Sequence, residues 1–66
     1  MLLASFSSTA ISHARYDPPS GGLHIVFTSG RGYDFCGVPQ WVWQGLCSAS
    51  STGTYYNDVI RDNYQC

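Results

Sequence analysis

The chain has 66 residues, a net charge near −1 and 11% charged residues. That length excludes more than one domain and any large core, since a chain this short buries only about 60% of its unfolded surface. It has no Lys and no Glu; Arg15, Arg31 and Arg61 are its cations, and Asp17, Asp34, Asp58 and Asp62 its acids. So few cations cannot build the broad basic patch that avid, non-specific nucleic-acid binding needs.

The N-terminal stretch, residues 1–10, is rich in Ser, Thr and Ala and reads as extended or frayed (residues 1–7 above all), with Leu2, Leu3 and Phe6 able to pack against an edge. It has no basic leader and too short an apolar run for a signal peptide. No stretch could span a membrane, and the expected location is the cytoplasm. A first strand is predicted from Ile11 to Tyr16. Asp17-Pro18-Pro19-Ser20-Gly21-Gly22 is turn chemistry, because Pro presets φ and Gly admits positive φ. Leu23, Ile25 and Phe27 alternate as a second strand over Leu23–Thr28, and Ser29-Gly30-Arg31-Gly32 closes a second hairpin. The third strand covers Gly32–Cys36, with Tyr33 and Phe35 continuing the apolar face. His24, Val26 and Asp34 fall on the other face.

At Val38-Pro39 the period changes from two to about 3.6. Pro39 suits a first helical turn, where its missing N–H costs nothing. Val42, Leu46 and Ala49 make the core stripe, with Trp41 and Trp43 on opposite flanks. Gly45 costs about 1 kcal/mol relative to Ala in a helix interior, which points to a close approach by another element. Ser50-Ser51-Thr52-Gly53 breaks this helix and caps the next. The second stripe is Tyr56, Val59, Ile60 and Tyr64, with Asp58 and Arg61 as an outer i,i+3 pair. The expectation is one α+β domain over residues 1–66, a three-stranded antiparallel meander followed by two short helices packed on one face. A core this small needs support, and self-association is the simplest source of it.

Together these residues resemble a known family. The ordered set is Tyr16-Asp17, Leu23-x-Ile25-x-Phe27-x-x-Gly30-x-x-Tyr33-x-Phe35-x-x-Val38-Pro39, then Val42-Trp43-x-x-Leu46-x-x-Ala49, Tyr55-Tyr56-Asn57-x-x-Ile60-Arg61 and Tyr64. It is similar to the KTSC domain, named for the C-terminal extension of some lysyl-tRNA synthetases, over about Ser7 to Tyr64. The resemblance implies a stand-alone member of a family found in bacteria and their phages, for which RNA binding has been suggested. The family's Tyr-x-Tyr stands here as Tyr33-Asp34-Phe35, so the second hydroxyl is absent, and many members carry more Lys and Arg than this chain.

No residue set spells out turnover. His13 and His24 could serve as bases, but no nucleophile elbow accompanies them and a domain this small has little room for a pocket. The expectation is therefore no enzyme, no cofactor and no small-molecule substrate. Cys36, Cys47 and Cys66 form an odd set without a Cys-x-x-Cys pair, which reads as free thiols in a reducing compartment. A Cys36–Cys47 bridge is the alternative, and spacing alone does not establish it. The same absence of tight pairs argues against a zinc site built from the cysteines with His13 and His24. Gly30-x-Gly32 lacks the Lys and following helix of a phosphate loop.

Two binding readings follow. The first is a protein-binding or self-associating module working through Trp41, Trp43 and Tyr55, with Gly45 and Ser48 leaving room for a partner's side chain; exposed aromatics dominate such contacts. The second is an accessory domain for RNA or single-stranded nucleic acid using Arg15, Arg31, Tyr33, Phe35, Asn57 and Arg61, because aromatics stack bases while Arg meets phosphate.

Overall fold

The computed structural model describes all of residues 1–66. Four strands, β1 (Leu2–Ser5), β2 (Ile11–Asp17), β3 (Gly22–Phe27) and β4 (Gly32–Phe35), form one antiparallel sheet in sequence order. Helix α1 (Gln40–Ser48) follows, then the single turn α2 (Thr52–Tyr55), which runs on into a π-helical turn, Tyr56–Ile60. The α+β architecture matches expectation, and the sheet has one strand more than predicted. Leu2, Ala4 and Phe6 alternate with Leu3 and Ser5, and the segment lies in register on β2 with Ala4 opposite Ala14. Pairing, which a local reading of two adjacent leucines does not reveal, turns this stretch into a strand.

The helices cover one face of the sheet. Ile11, Ala14, Tyr16, Leu23, Ile25 and Phe35 point from the strands onto Val38, Val42, Trp43, Leu46 and Ile60, and all eleven are buried. On the uncovered face Leu3, Arg15, His24 and Asp34 make one row across all four strands. Within that row His24 Nδ1 lies 2.6 Å from Asp34 Oδ1, an ion pair when the imidazole is protonated. The predicted Asp58–Arg61 pair does not form; the wider π turn instead aims the Arg61 guanidinium at Asn57 Oδ1, 3.5 Å away.

Two glycines hold tight junctions. Gly21 has φ +74°, and a Cβ there would meet the backbone at Gly37 and Val38 within 3.1–3.3 Å. Its carbonyl accepts from Val38 N–H at 2.9 Å, so the first hairpin docks on the entry to α1. Gly45 is where Tyr55 crosses α1. A Cβ at Gly45 would collide with the Tyr55 hydroxyl and sit 2.6 Å from Cζ, and that hydroxyl donates to the Val42 carbonyl at 3.0 Å. The close approach predicted from the sequence thus comes from this chain. Gly45→Ala is expected to lower stability, because an overpacking cost of about 1–3 kcal/mol exceeds the roughly 1 kcal/mol gained in helix propensity. In a Tyr55→Ala background the same change should raise the thermal midpoint, and an increase in both backgrounds would refute the contact.

The cysteines depart from expectation. Cys36 and Cys66 are joined in a disulfide across 30 residues of sequence, with Cα atoms 4.9 Å apart, and Cys47 alone is free. The Cys36–Cys47 pairing does not occur, because Cys47 lies on the exposed side of α1 while the C-terminal segment runs beside β4. Cys36 N–H donates to the Tyr64 carbonyl at 2.8 Å, and Phe35 bridges to Gln65. Disulfides persist in oxidising compartments and are rare in the cytosol, so the cysteines no longer argue for a reducing one. No helix is long and apolar enough to cross a membrane.

Candidate functional site

The two sets of binding residues fare differently. Of the first set, Trp43 is buried (5% exposed) and stacks on Tyr16, with ring centroids 5.4 Å apart and planes 13° from parallel. It is core and unavailable to a partner. The space beside Gly45 is filled by Tyr55, whose ring is half-buried and whose hydroxyl is engaged. Trp41 and Ser48 remain outside, Trp41 with 63% of its surface exposed. Of the two tryptophans flanking the α1 stripe, Trp41 is the one open to solvent, and the structure does not assemble a pocket around it.

The second set largely converges. Arg31, Tyr33, Phe35, Asn57 and Arg61 line one open groove of about 700 Å3, between the β3–β4 hairpin and the π turn. Arg15 does not join them; it projects from β2 on the uncovered face, in the row with His24. The groove is positioned by elements far apart in sequence. Gly30 at φ +94° turns the hairpin, and Phe27 N–H donates to the Arg31 carbonyl at 2.8 Å, fixing the tip that carries Arg31. On the opposite wall, the π turn closes with Arg61 N–H on the Tyr56 carbonyl at 2.9 Å. Asn57 and Arg61 thereby share one side of the turn, four residues apart.

The floor is aromatic. Phe27 meets Tyr33 edge to face at 5.6 Å and Tyr56 at 5.0 Å, and Phe35 meets Tyr56 at 5.8 Å. Phe35 is buried beneath the others, whereas Tyr33 keeps 44% of its surface in solvent. Burial pushes the Tyr56 hydroxyl above the ordinary tyrosine range; Arg61 opposes the shift while Tyr33 and Asp62 add to it. The hydroxyl is thus protonated at neutral pH and can donate. Asp34 and Asp62 also line the groove, so its two guanidinium groups face two carboxylates and its charge is close to balanced.

Tyr56, Asp34, Asp62 and Gln65 are groove residues that sequence reasoning missed. Tyr56 read as core stripe, Asp34 as a residue of the other strand face and Asp62 only as one of four acids, and only the docking of the C-terminal segment on β4 brings Gln65 into reach. The ligand set considered for zinc is dismantled, because Cys36 and Cys66 are consumed by their disulfide. His24 is held by Asp34 with Gly32 against its other ring nitrogen; a Cβ at Gly32 would come within 2.8 Å of Nε2.

The KTSC domain family model matches residues 7–64 of this chain. The chain is also similar to a protein of Tsukamurella paurometabola, 36% identical over 58 residues, covering 88% of this chain and 87% of that one. An uncharacterized protein of Stutzerimonas stutzeri is 31% identical over 64 residues, covering 97% and 90%. Among solved structures, the KTSC domain protein YPO2434 from Yersinia pestis superposes with a TM-score of 0.91 at 32% identity, over 98% of this chain and 92% of that one.

Proposed function

We propose that this chain, which belongs to the KTSC domain family, works by binding rather than by turnover, and that its ligand is a short run of single-stranded nucleic acid held in the groove beside β4. The observation that carries this reading is the meeting of Arg31 and Arg61, two of the three cations of the chain, over a floor on which Tyr33 is open to solvent. A base can stack on Tyr33, because every base offers a π face. Its flanking phosphates can meet Arg31 and Arg61, whose planar forks match phosphate oxygens. The Asn57 amide and the Tyr56 hydroxyl supply polar contacts to base edges or sugar. Asp34 and Asp62 weaken the attraction for bare phosphate chains, so contact would be short and local rather than avid.

With two phosphate contacts, the logarithm of the affinity should fall with the logarithm of salt at a slope of about −1.4, roughly −0.7 for each contact on a single strand. Fluorescence anisotropy with labelled homopolymeric oligonucleotides at several salt concentrations measures it. Arg31→Ala and Arg61→Ala should each weaken binding roughly tenfold or more and each shallow the slope by about 0.7. Tyr33→Ala should cost about 1–3 kcal/mol of stacking with the slope unchanged. Binding that is equally strong in all three variants would dismiss the groove as the site.

A second reading rests on one observation, the 63% exposure of Trp41 on α1. A large ring in solvent is a common anchor of protein contacts, and this one has Ser48 exposed on the same helix. It needs neither Trp43, which is core, nor Gly45, where Tyr55 fills the space.

A further inference from the structure

The two edges of the sheet are finished differently. At β4 the chain protects its own edge: Phe35 bridges to Gln65, Cys36 N–H bonds the Tyr64 carbonyl, and the Cys36–Cys66 disulfide locks the segment in place. At β1 nothing comparable exists. This strand pairs with β2 on one side and ends the sheet on the other. Residues 1–10 carry no charged side chain and no Pro, and the register irregularity of the sheet lies between β2 and β3 rather than in β1. Charges, Pro, bulges and covering segments are the usual means of keeping an edge unpaired. Leu3, on the uncovered face, is 73% exposed, and Leu2 is 41% exposed on the other.

The backbone sets which groups are free. Phe6 N–H donates to the Ser12 carbonyl at 2.9 Å, continuing the register in which Ala4 faces Ala14 and Leu2 faces Tyr16. In an antiparallel ladder the bonded residues alternate, so Leu2, Ala4 and Phe6 turn their N–H and C=O toward β2. Leu3 and Ser5 turn theirs outward.

We infer that β1 is the contact through which two copies of this chain join about a two-fold axis, making one continuous antiparallel sheet of twice four strands. Using every outward group pairs Leu3 with the partner's Ser5 in both directions and places Ala4 on the axis, opposite the partner's Ala4. That position is a non-bonded pair, where strands approach most closely, with Cα atoms about 4.5 Å apart, and it carries a small side chain. On the covered face Leu2 then lies opposite the partner's Phe6 and loses its exposure to water. The occupant is a second copy because the edge is self-complementary under this operation, carries no charged side chain, and belongs to a chain with net charge near −1, which barely repels its like. This contact is independent of the groove, which lies at the opposite edge.

Sedimentation equilibrium over a wide concentration range tests it, alongside amide hydrogen exchange at Leu3 and Ser5. The wild-type chain should dimerise, with both amides protected in proportion to the dimer fraction. Leu3→Pro removes an outward N–H without touching the β1–β2 ladder, and Leu3→Lys keeps the backbone while placing on the edge a charge that faces the partner's Ser5 and lies diagonal to its own symmetry mate. Each should raise the dissociation constant roughly tenfold or more while circular dichroism stays that of the folded chain. Leu3→Lys keeps the test decisive should the proline variant fail to fold. A chain that remains monomeric at all concentrations, or a dimer indifferent to Leu3→Lys and lost in Trp41→Ala, would overturn the inference.

Discussion

Trp43→Ala is expected to leave the chain largely unfolded at moderate temperature. Removing a buried Trp costs about 3–5 kcal/mol, through lost burial and the cavity left behind. At roughly 0.05–0.15 kcal/mol per residue, a domain of this length has only some 3–10 kcal/mol to lose. The position magnifies the loss. Trp43 stacks on Tyr16, and the Tyr16 hydroxyl donates to the Val38 carbonyl at 2.6 Å where the chain enters α1. An empty site there frees the Tyr16 ring and loosens the junction of β2, the loop and the helix together. Trp41→Ala, two residues earlier but in solvent, should stay within about 0.5 kcal/mol of wild type. Urea denaturation of both variants, followed by far-ultraviolet circular dichroism, makes the comparison. Similar midpoints for the two would remove the distinction on which the core assignment stands.

The second large effect is expected from the disulfide. Closing about 30 residues into a loop restricts the unfolded chain, and chain-entropy estimates for that length come to about 3–4 kcal/mol. Cys36→Ser with Cys66→Ser, or a reductant on the native chain, should therefore lower stability by about 2–4 kcal/mol, whereas Cys47→Ser should do little. The loss should also weaken the proposed oligonucleotide binding, because the bond fixes the segment that carries Gln65 along the groove. Alkylation read by mass spectrometry gives a direct check: the folded oxidised chain should take up label at Cys47 alone, and the reduced unfolded chain at all three cysteines. Partial burial pushes the Cys47 thiol above its usual range, so labelling there should be slow at neutral pH. Three reactive thiols in the untreated native chain would show the bond absent.

How much of this was legible depends on how far apart the interacting residues lie. Leu23, Ile25 and Phe35 alternate within their own strands, and Val42 and Leu46 repeat within their own helix, so their faces follow from local period. The first strand does not announce itself, since Leu2 and Leu3 are both apolar and only the match to β2 decides which points inward. Gly45 advertised a close approach through its cost to the helix; that Tyr55 fills the space required the second helix to be folded back. The Cys36–Cys66 pairing had no signal in spacing, because sequence separation says nothing about which thiols meet.

The groove shows the same division. Arg31, Tyr33 and Arg61 could each be chosen by residue type, since guanidinium and aromatic groups are what nucleic acids are read with, and Asn57 by its place in the Tyr55-Tyr56-Asn57-x-x-Ile60-Arg61 segment. Their convergence depends on the hairpin tip meeting a π turn, and no local pattern encodes that turn. The excluded member, Arg15, has the right chemistry on the wrong face. Strand alternation alone separates it from Tyr33: in the β2–β3 register Arg15 shares its side with His24, and Tyr33 shares its side with Ile25.

The most direct test is a nitrogen-15 NMR titration of the oxidised chain with a short single-stranded oligonucleotide at low salt. Binding in the groove predicts that the largest shifts fall on Arg31, Tyr33, Asn57 and Arg61, with Trp41 and the Leu3–Arg15–His24–Asp34 row, apart from Asp34 at the groove rim, left unmoved. Shifts centred on the Trp41 indole or on Arg15 and His24, or no shift at a large excess of oligonucleotide, would contradict it.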